Sequence, residues 1–552
     1  MRYKFILLFI ILWGIVSIAC RVPGTGSSEP NFDNALLKTI VAATLTRASE
    51  SEPLASSTIT PKPIEPTPTF TATETEEPVQ ETDPPNAESE VPSTDTAQII
   101  LTEIPEFSIV MNSPEDDTST EFTYLTQSGD TLEYIAERFS VNLGRVTGAN
   151  NINTDGLLPP GRVLTIPNTV GDTSTNQPLL PDSEVVYSPS VSDFSVETYV
   201  SSAGGYLSRF DEHVYDEWLT GAKIVERVAV ETSVNPRLLL AVLEDQSGWV
   251  LGEPPEPVDK TYPLGLHVSG KKGLYQELAI AATQINKGYY SGRSGVVKEL
   301  KFKDKSRLRI NPELNAGSMG IQLLYALLTY PGEWQAALYS NSGGGFLELY
   351  ESMFPGGWGR AARVEPLLPG ELSQPELELP FNEGERWSLT GGPHYSWNAG
   401  SPRGALDFAP VTGELACQVS KAWVTASAAG DVVRSAYNVL AIDLDGDEFE
   451  GSGWNIIYLH LADEGQIPAG VQVNTDDQLG HPSCERGHNT GTHVHIARKY
   501  NGEWLPADGS VPFLLSGWEV YSEEGNYIGG MTKGYQIVEA KPYGPHSSIV
   551  VR

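Results

Sequence analysis

The apolar spacing of this chain changes near residue 370, from the period of a helix to that of a strand. Between residues 199 and 368 leucine and alanine recur at intervals of three and four, as in "NPRLLLAVLEDQSG" and "GLYQELAIAATQIN". That is the spacing of amphipathic helices and predicts an all-α domain. From Leu379 to residue 552 short alternating runs such as "WVTASAAGDVV", "NVLAIDLD" and "WNIIYLHLA" are separated by glycine turns. This pattern predicts an antiparallel β domain. A chain of 552 residues is in any case too long for one core, so a multidomain fold is expected.

The first twenty residues, "MRYKFILLFIILWGIVSIAC", place Arg2 and Lys4 before an apolar run that ends in small residues and Cys20. This is the pattern of a secretory signal. It resembles a bacterial lipoprotein signal, which implies cleavage before Cys20 and acylation of its thiol. An uncleaved membrane anchor is the alternative, and both place the remaining chain outside the cytoplasmic membrane. Residues 21–121 are rich in Pro, Thr, Ser and Glu and bury too little apolar surface to offset chain entropy. They are expected to form a disordered tether. The balance of 36 basic against 71 acidic residues, a net charge of −35, argues against nucleic acid as a partner.

Residues 122–168 begin with the alternating "FTYLTQ", turn at "SGDT", and continue into a helical pattern on Leu132, Ile135, Ala136 and Phe139. A second short helix and "LLPPG" lead to a closing strand, "RVLTIP". This β-α-α-β unit resembles the LysM module through Gly129, Asp130, Thr131, Leu132, Ile135, Asn150, Asn151, Leu158 and Gly161. The resemblance implies binding to N-acetylglucosamine-containing glycans such as peptidoglycan. The sugar would then lie along Gly129, Asp130, Thr131, Ile152 and Leu157. Residues 169–198, rich in Ser, Thr, Pro and Asp, read as a linker.

In the helical domain, 199–368, "NPRLLLAVLEDQSG" resembles the signature helix of lysozyme-like lytic transglycosylases. Cleavage of a glycan needs a carboxylic acid just before the Ser-Gly pair, to protonate the leaving oxygen. Gln246 stands there, and its amide has no acidic proton. Glu244 and Asp245 are near but fall on other positions of the helix. A lysozyme-like scaffold that does not cut is therefore expected, with an unrelated helical spacer as the alternative.

Six of the nine histidines fall between residues 394 and 495. Of these, His493 and His495 in "GTHVHIA" share one face of a strand. "YLH" at His460, "LG" at 479–480 and "TGTHVHIA" together resemble the M23 family of zinc endopeptidases, of the lysostaphin and LytM type. The usual His four residues before Asp407 is replaced by Arg403, which cannot bind a metal. A LasA-like subgroup of that family takes its first ligand from a "GxH" turn, and here "GGPH" puts His394 thirteen residues before Asp407. The resemblance implies a Zn2+ held by His394, Asp407 and His495, with His460 and His493 as catalytic residues. Two imidazoles and one carboxylate leave an open position, the arrangement of a catalytic zinc.

The remaining histidines carry less. His481 and His488 flank Cys484 and read as rim residues, and His213, His267 and His546 as ordinary ones. "DLDGDE" at 443–448 lacks the spacing of a calcium loop and reads as a solvated acidic hairpin. With Cys20 committed to lipid, an oxidising compartment favours a disulfide between Cys417 and Cys484. The expectation is a lipid-anchored, extracytoplasmic hydrolase that grips peptidoglycan and cuts its peptide cross-links. Its rival is a non-catalytic wall-binding scaffold or activator.

Overall fold

The computed structural model describes residues 121–552 apart from 153–155, 340–343, 413, 415–416 and 486–490. The expected signal, the tether and the lipidation site at Cys20 lie outside the described residues, as does His488. Among the described residues no helix is long and apolar enough to cross a membrane.

The first unit pairs the strand Glu121–Leu125 antiparallel with Val163–Pro167 and packs the helices Leu132–Phe139 and Leu143–Asn150 on them. Its core is Tyr124, Leu132, Ile135, Phe139, Leu164 and Ile166. The "GDT" turn builds this unit. Asp130 is buried and accepts from Tyr124 Oη at 2.6 Å and Arg138 Nη2 at 2.8 Å, while the Thr131 side chain caps the first helix by accepting from Tyr134 N. Of the residues expected to face a sugar, Asp130, Thr131 and Ile152 are thus buried structural residues.

The loop that carries them is also covered. Gly129 (φ +78°) lies under the Arg293 guanidinium, where any side chain would collide. Gln127 Nε2 donates to the Glu313 carbonyl at 2.7 Å, and Leu368 N donates to Ser128 Oγ at 2.9 Å. These partners lie 160 or more residues away, beyond the reach of a local sequence pattern. Leu157 alone of the five stays partly exposed.

The helical region is built on Gly221–Thr232, Pro236–Ser247, Leu274–Asn286 and Ala316–Leu328. Asn235 accepts from Arg237 N to start the second of these, Pro236 follows where its missing N–H costs nothing, and left-handed Gly248 ends it. Two features differ from expectation. The region is not all-α, because hairpins form from Asp211–Val214 with Glu217–Thr220 and from Glu299–Lys301 with Arg307–Arg309. In the second, the alternation of "ELKFKDKSRLR" has the period of a strand.

The segment 169–198 is likewise no free linker. Leu179, Leu180, Val185 and Val186 are buried in the helical core, and Val191 is buried as well. Its polar residues satisfy backbone groups: Ser188 and Ser190 both donate to the Ser183 carbonyl at 2.7 Å, and Asp182 accepts from Gly317 N. Composition alone suggested solvent, but the leucines and valines between the serines supply a buried face.

At the helix end near Gln246 the two neighbouring carboxylates are hydrogen-bonded. Glu244 Oε2 accepts from Val250 N and Leu251 N at 2.8 and 2.9 Å. Asp245 accepts from Tyr325 Oη and Gln246 Nε2, both at 2.7 Å. Glu244 thus closes the helix, while Asp245 ties it to the neighbouring helix through Tyr325.

The C-terminal region contains a nine-stranded antiparallel sheet. Its order is Gln472–Val473, Gly430–Ala436, Val439–Asp443, Trp454–Leu459, Val494–Tyr500, Arg403–Pro410, Arg386–Tyr395 and Ile549–Val551, with Glu503–Trp504 added beside Val494–Tyr500. Leu440, Ile442, Ile456, Tyr458 and Ile496 bury one face against the rest of the β region. Val439, Ala441, Ile457, Ala497 and Trp504 bury the other in the core of the helical region. This explains the near-continuous apolar run of "NVLAID", since a strand covered on both faces has no polar side. A second sheet, ordered Leu514–Leu515, Trp518–Ser522, Gly529–Lys533 and Gln536–Glu539, packs beside the first.

Candidate metal centre

Three adjacent strands of the large sheet carry the histidine cluster. His394 lies near the end of Arg386–Tyr395, Asp407 on Arg403–Pro410, and His495 on Val494–Tyr500. His495 is the direct cross-strand partner of Asp407. His394 reaches the same spot because its strand is irregular, with register shifts on both sides of it. Gly391, opposite Asp407, makes room: a Cβ there would overlap the Asp407 carboxylate. His460 follows the strand Trp454–Leu459 in a left-handed conformation (φ +65°), and its ring centroid lies 4.7 Å from that of His493.

The ligating atoms converge. His394 Nε2 is 3.0 Å from His495 Nδ1, and Asp407 Oδ1 lies 3.3 Å from the first, 3.4 Å from the second and 3.7 Å from His493 Nε2. His394, Asp407 and His495 are all buried, and their ligand atoms lie within 4.8 Å of one another.

The protons on these rings follow from their other contacts. His394 Nδ1 is 2.9 Å from the Gly392 carbonyl, His495 Nε2 is 3.0 Å from the Ser396 carbonyl, and His493 Nδ1 is 2.8 Å from the Gly491 carbonyl. A carbonyl only accepts, so each of these nitrogens carries hydrogen. In the neutral rings His394 Nε2 and His495 Nδ1 then present lone pairs to each other. Asp407 Oδ1, also buried, has no hydrogen-bond partner. Three electron-pair donors this close require positive charge among them, either a proton on His394 or a cation. The donor set, two imidazoles oriented by backbone carbonyls and one carboxylate, fits zinc.

Electrostatics follow the same geometry. Burial raises the Asp407 carboxyl, but the facing His394 and His493 outweigh it and hold the group well below 3.8. Burial lowers His394, yet Asp407 prevails and lifts it above 6.5. His495 is lowered, chiefly by burial. His460 is pushed down to about 3 by burial and then by His493 and His495, so it is a neutral ring.

Groups that the sequence did not single out complete the surroundings. Tyr527 stacks on His394, with ring centroids 4.2 Å apart at 20°. Its loop is held by Arg403, which donates to the carbonyls of Glu523 and Gly525. Arg403 thus serves the wall of the site and leaves the ligand position to His394. Ser396, whose carbonyl orients His495, is fully buried. Cys417 and Cys484 form a disulfide, and Ser483 N next to it donates to the His460 carbonyl at 2.8 Å.

His481 donates from Nδ1 to the Ala422 carbonyl and packs on Trp423. His213 packs on Trp218, His267 on Tyr262, and His546 is at the surface. In the acidic hairpin Asp443, Asp445 and Asp447 gather, with Asp443 accepting from the backbone N–H groups of Asp445, Gly446 and Glu448.

Comparison with known proteins supplies independent matches. Residues 178–365 match the model of the LasA N-terminal domain, and residues 124–167 match the LysM domain. The first match spans most of the segment read as a linker and the helical region together. Over 301 residues the chain is 27% identical to Protease LasA of Pseudomonas aeruginosa, covering 50% of this chain and 66% of that protein. The chain therefore spans just under two thirds of that relative's length. Among solved structures, it is similar to the M23 metalloprotease pseudoalterin from the deep sea (22% identity, TM-score 0.27, 31% of this chain and 99% of that one). It is also similar to the catalytic domain of lysostaphin from Staphylococcus simulans (19% identity, TM-score 0.17, 22% of this chain and 89% of that one).

Proposed function

We propose that this protein is a zinc-dependent endopeptidase of the M23 type that acts on peptide bonds of peptidoglycan outside the cytoplasmic membrane. The observation that carries the reading is the convergence of lone pairs from His394 Nε2, Asp407 Oδ1 and His495 Nδ1 on one buried point. Those three residues would hold the metal. When bound, zinc supplies a Lewis acid that activates water near neutral pH and polarises a carbonyl.

The chain's own residues have defined parts. Ser396 and Gly392 fix the two ligand rings by accepting their outer N–H groups. His493, its Nδ1–H bonded to Gly491, keeps Nε2 free to take a proton from the attacking water and deliver it to the leaving amine. His460, neutral and beside His493, offers a hydrogen bond to the oxygen that gains charge in the transition state. Tyr527 walls the site and holds the His394 ring in plane.

The LysM match supports peptidoglycan as substrate, and the likeness to LasA supports peptidase chemistry. Cys20 as a lipid anchor, with residues 21–120 as tether, belongs to the same reading. The test is release of new amino termini from purified peptidoglycan by the full chain, wild type against His460→Ala and His493→Ala. Activity in the parent with loss in both variants is expected. A zinc-loaded, folded parent that releases none would leave the scaffold or activator as the function.

A further inference from the structure

A second concave site lies away from the histidines, and its charge runs against the rest of the protein. In a chain of net −35, residues 287–309 hold eight basic and two acidic side chains. Five of the eight, Lys287, Lys298, Lys301, Arg307 and Arg309, line one cavity of about 660 Å³ between the helical region and the LysM unit. The acidic groups there are Glu137 and Glu299, which pair with Lys298 at 2.9 Å and Arg307 at 2.8 Å. Lys287 and Lys301 are exposed and have no ion-pair partner among the described residues.

The hairpin that forms one wall makes the pattern more telling. Lys301 and Arg307 are direct cross-strand partners in an antiparallel pair, side by side on the exposed face. Like charges so placed repel, and Glu299 offsets this only for Arg307, leaving Lys301 without an ion-pair partner among the described residues. On the two strands the outer face carries Lys301, Arg307 and Arg309 together with Glu299, while Leu300 is buried and Leu308 half-buried on the inner face. Same-face side chains on a strand repeat at about 7 Å. Arg307 and Arg309 stand at that interval on one strand and Lys301 lies across from Arg307, a cluster of positive charge that suits an extended polyanion able to reach several of them. A smooth membrane surface fits a concave site less well.

We infer that this cavity binds an anionic, phosphodiester-linked polymer of the cell envelope, with Lys301 and Arg307 meeting one phosphate between them and Lys287 available to another. The site is separate from the metal centre and stands whether or not that centre is catalytic.

The test titrates a synthetic linear glycerol-phosphate hexamer into the full chain by calorimetry, at several salt concentrations. Two double variants accompany it: Lys301→Gln with Arg307→Gln, and Lys271→Gln with Lys272→Gln, which removes equal charge from exposed positions outside the cavity. Melting curves confirm that both remain folded. The expected result is salt-sensitive binding that weakens about tenfold or more in the cavity variant and less than about twofold in the control, with His495→Ala binding like wild type. Three results overturn the inference: no binding of the hexamer, equal loss in both double variants, or capture by phosphatidylglycerol vesicles without binding of the soluble hexamer. The last would make the patch a membrane contact.

Discussion

Asp407 and His495 face each other directly across two antiparallel strands, so the carboxylate and the imidazole are set by sheet register before any metal arrives. His394 joins them from the next strand through an irregular stretch. This preformed arrangement predicts that zinc binding depends on all three. One zinc per chain is expected for wild type and for His460→Ala, and little in His394→Ala or His495→Ala, read by metal analysis after dialysis. Retention of zinc by His394→Ala would exclude it as a ligand.

Metal affinity should fall with acid in a defined sense. Asp407 lifts the metal-free His394 above 6.5, so a proton competes for Nε2 at higher pH than for an ordinary histidine. Asp407 itself stays ionised far below 3.8 and does not contribute to this competition. At fixed, sub-saturating free zinc, occupancy is therefore expected to decline as pH falls, starting at a higher pH than an ordinary histidine ligand would give. An occupancy curve flat down to pH 5 would contradict the assignment.

Arg403 acts at a distance from the metal. Replacing it with alanine frees the 523–525 carbonyls and with them the loop that lays Tyr527 on His394. Peptidase activity should fall roughly tenfold, the scale of a small misplacement of a positioning group. Zinc content should stay unchanged. Loss of zinc with activity would mean that Arg403 supports the ligands themselves.

Gly391 tolerates no side chain. A methyl group there would push on the Asp407 carboxylate, so Gly391→Ala is expected to lower stability by about 1–3 kcal/mol, the usual cost of overpacking. Zinc affinity should drop in parallel. An alanine variant as stable as wild type in urea would show that the strands have slack.

Arg293 and Glu503 form a buried ion pair at 2.6 Å that ties the helical region to the sheet, and Tyr289 adds a 2.9 Å hydrogen bond to the same carboxylate. Removing only the cation leaves a buried, uncompensated charge. Arg293→Met should cost about 3–5 kcal/mol, while the pair Arg293→Met with Glu503→Gln should recover much of it. Additive losses in a double-mutant cycle would refute the coupling.

The convergence of His394, Asp407 and His495 was largely legible in the sequence because these residues carry periodic or spaced signals. His493 and His495 alternate on a strand, and His394 is marked by its distance from Asp407 and by the glycines before it. The groups that orient the rings were not legible, since the carbonyls of Gly392, Ser396 and Gly491 are backbone and could belong to any residue. Tyr527 was missed because it arrives from a hairpin 120 residues beyond Asp407. The fold was misread where composition was given more weight than pattern. Serines and prolines hid the buried leucines of 179–191, and no local motif shows that Gly129 lies beneath Arg293.

The cover over the Gly129 loop and the two-sided burial of the sheet have a mechanical consequence. The LysM unit and the histidine cluster cannot swing independently, because that unit, the helical layer and the sheet are fastened into one compact body. The separation between them is a fixed gauge. A partner that must touch both parts at once would have to match that spacing.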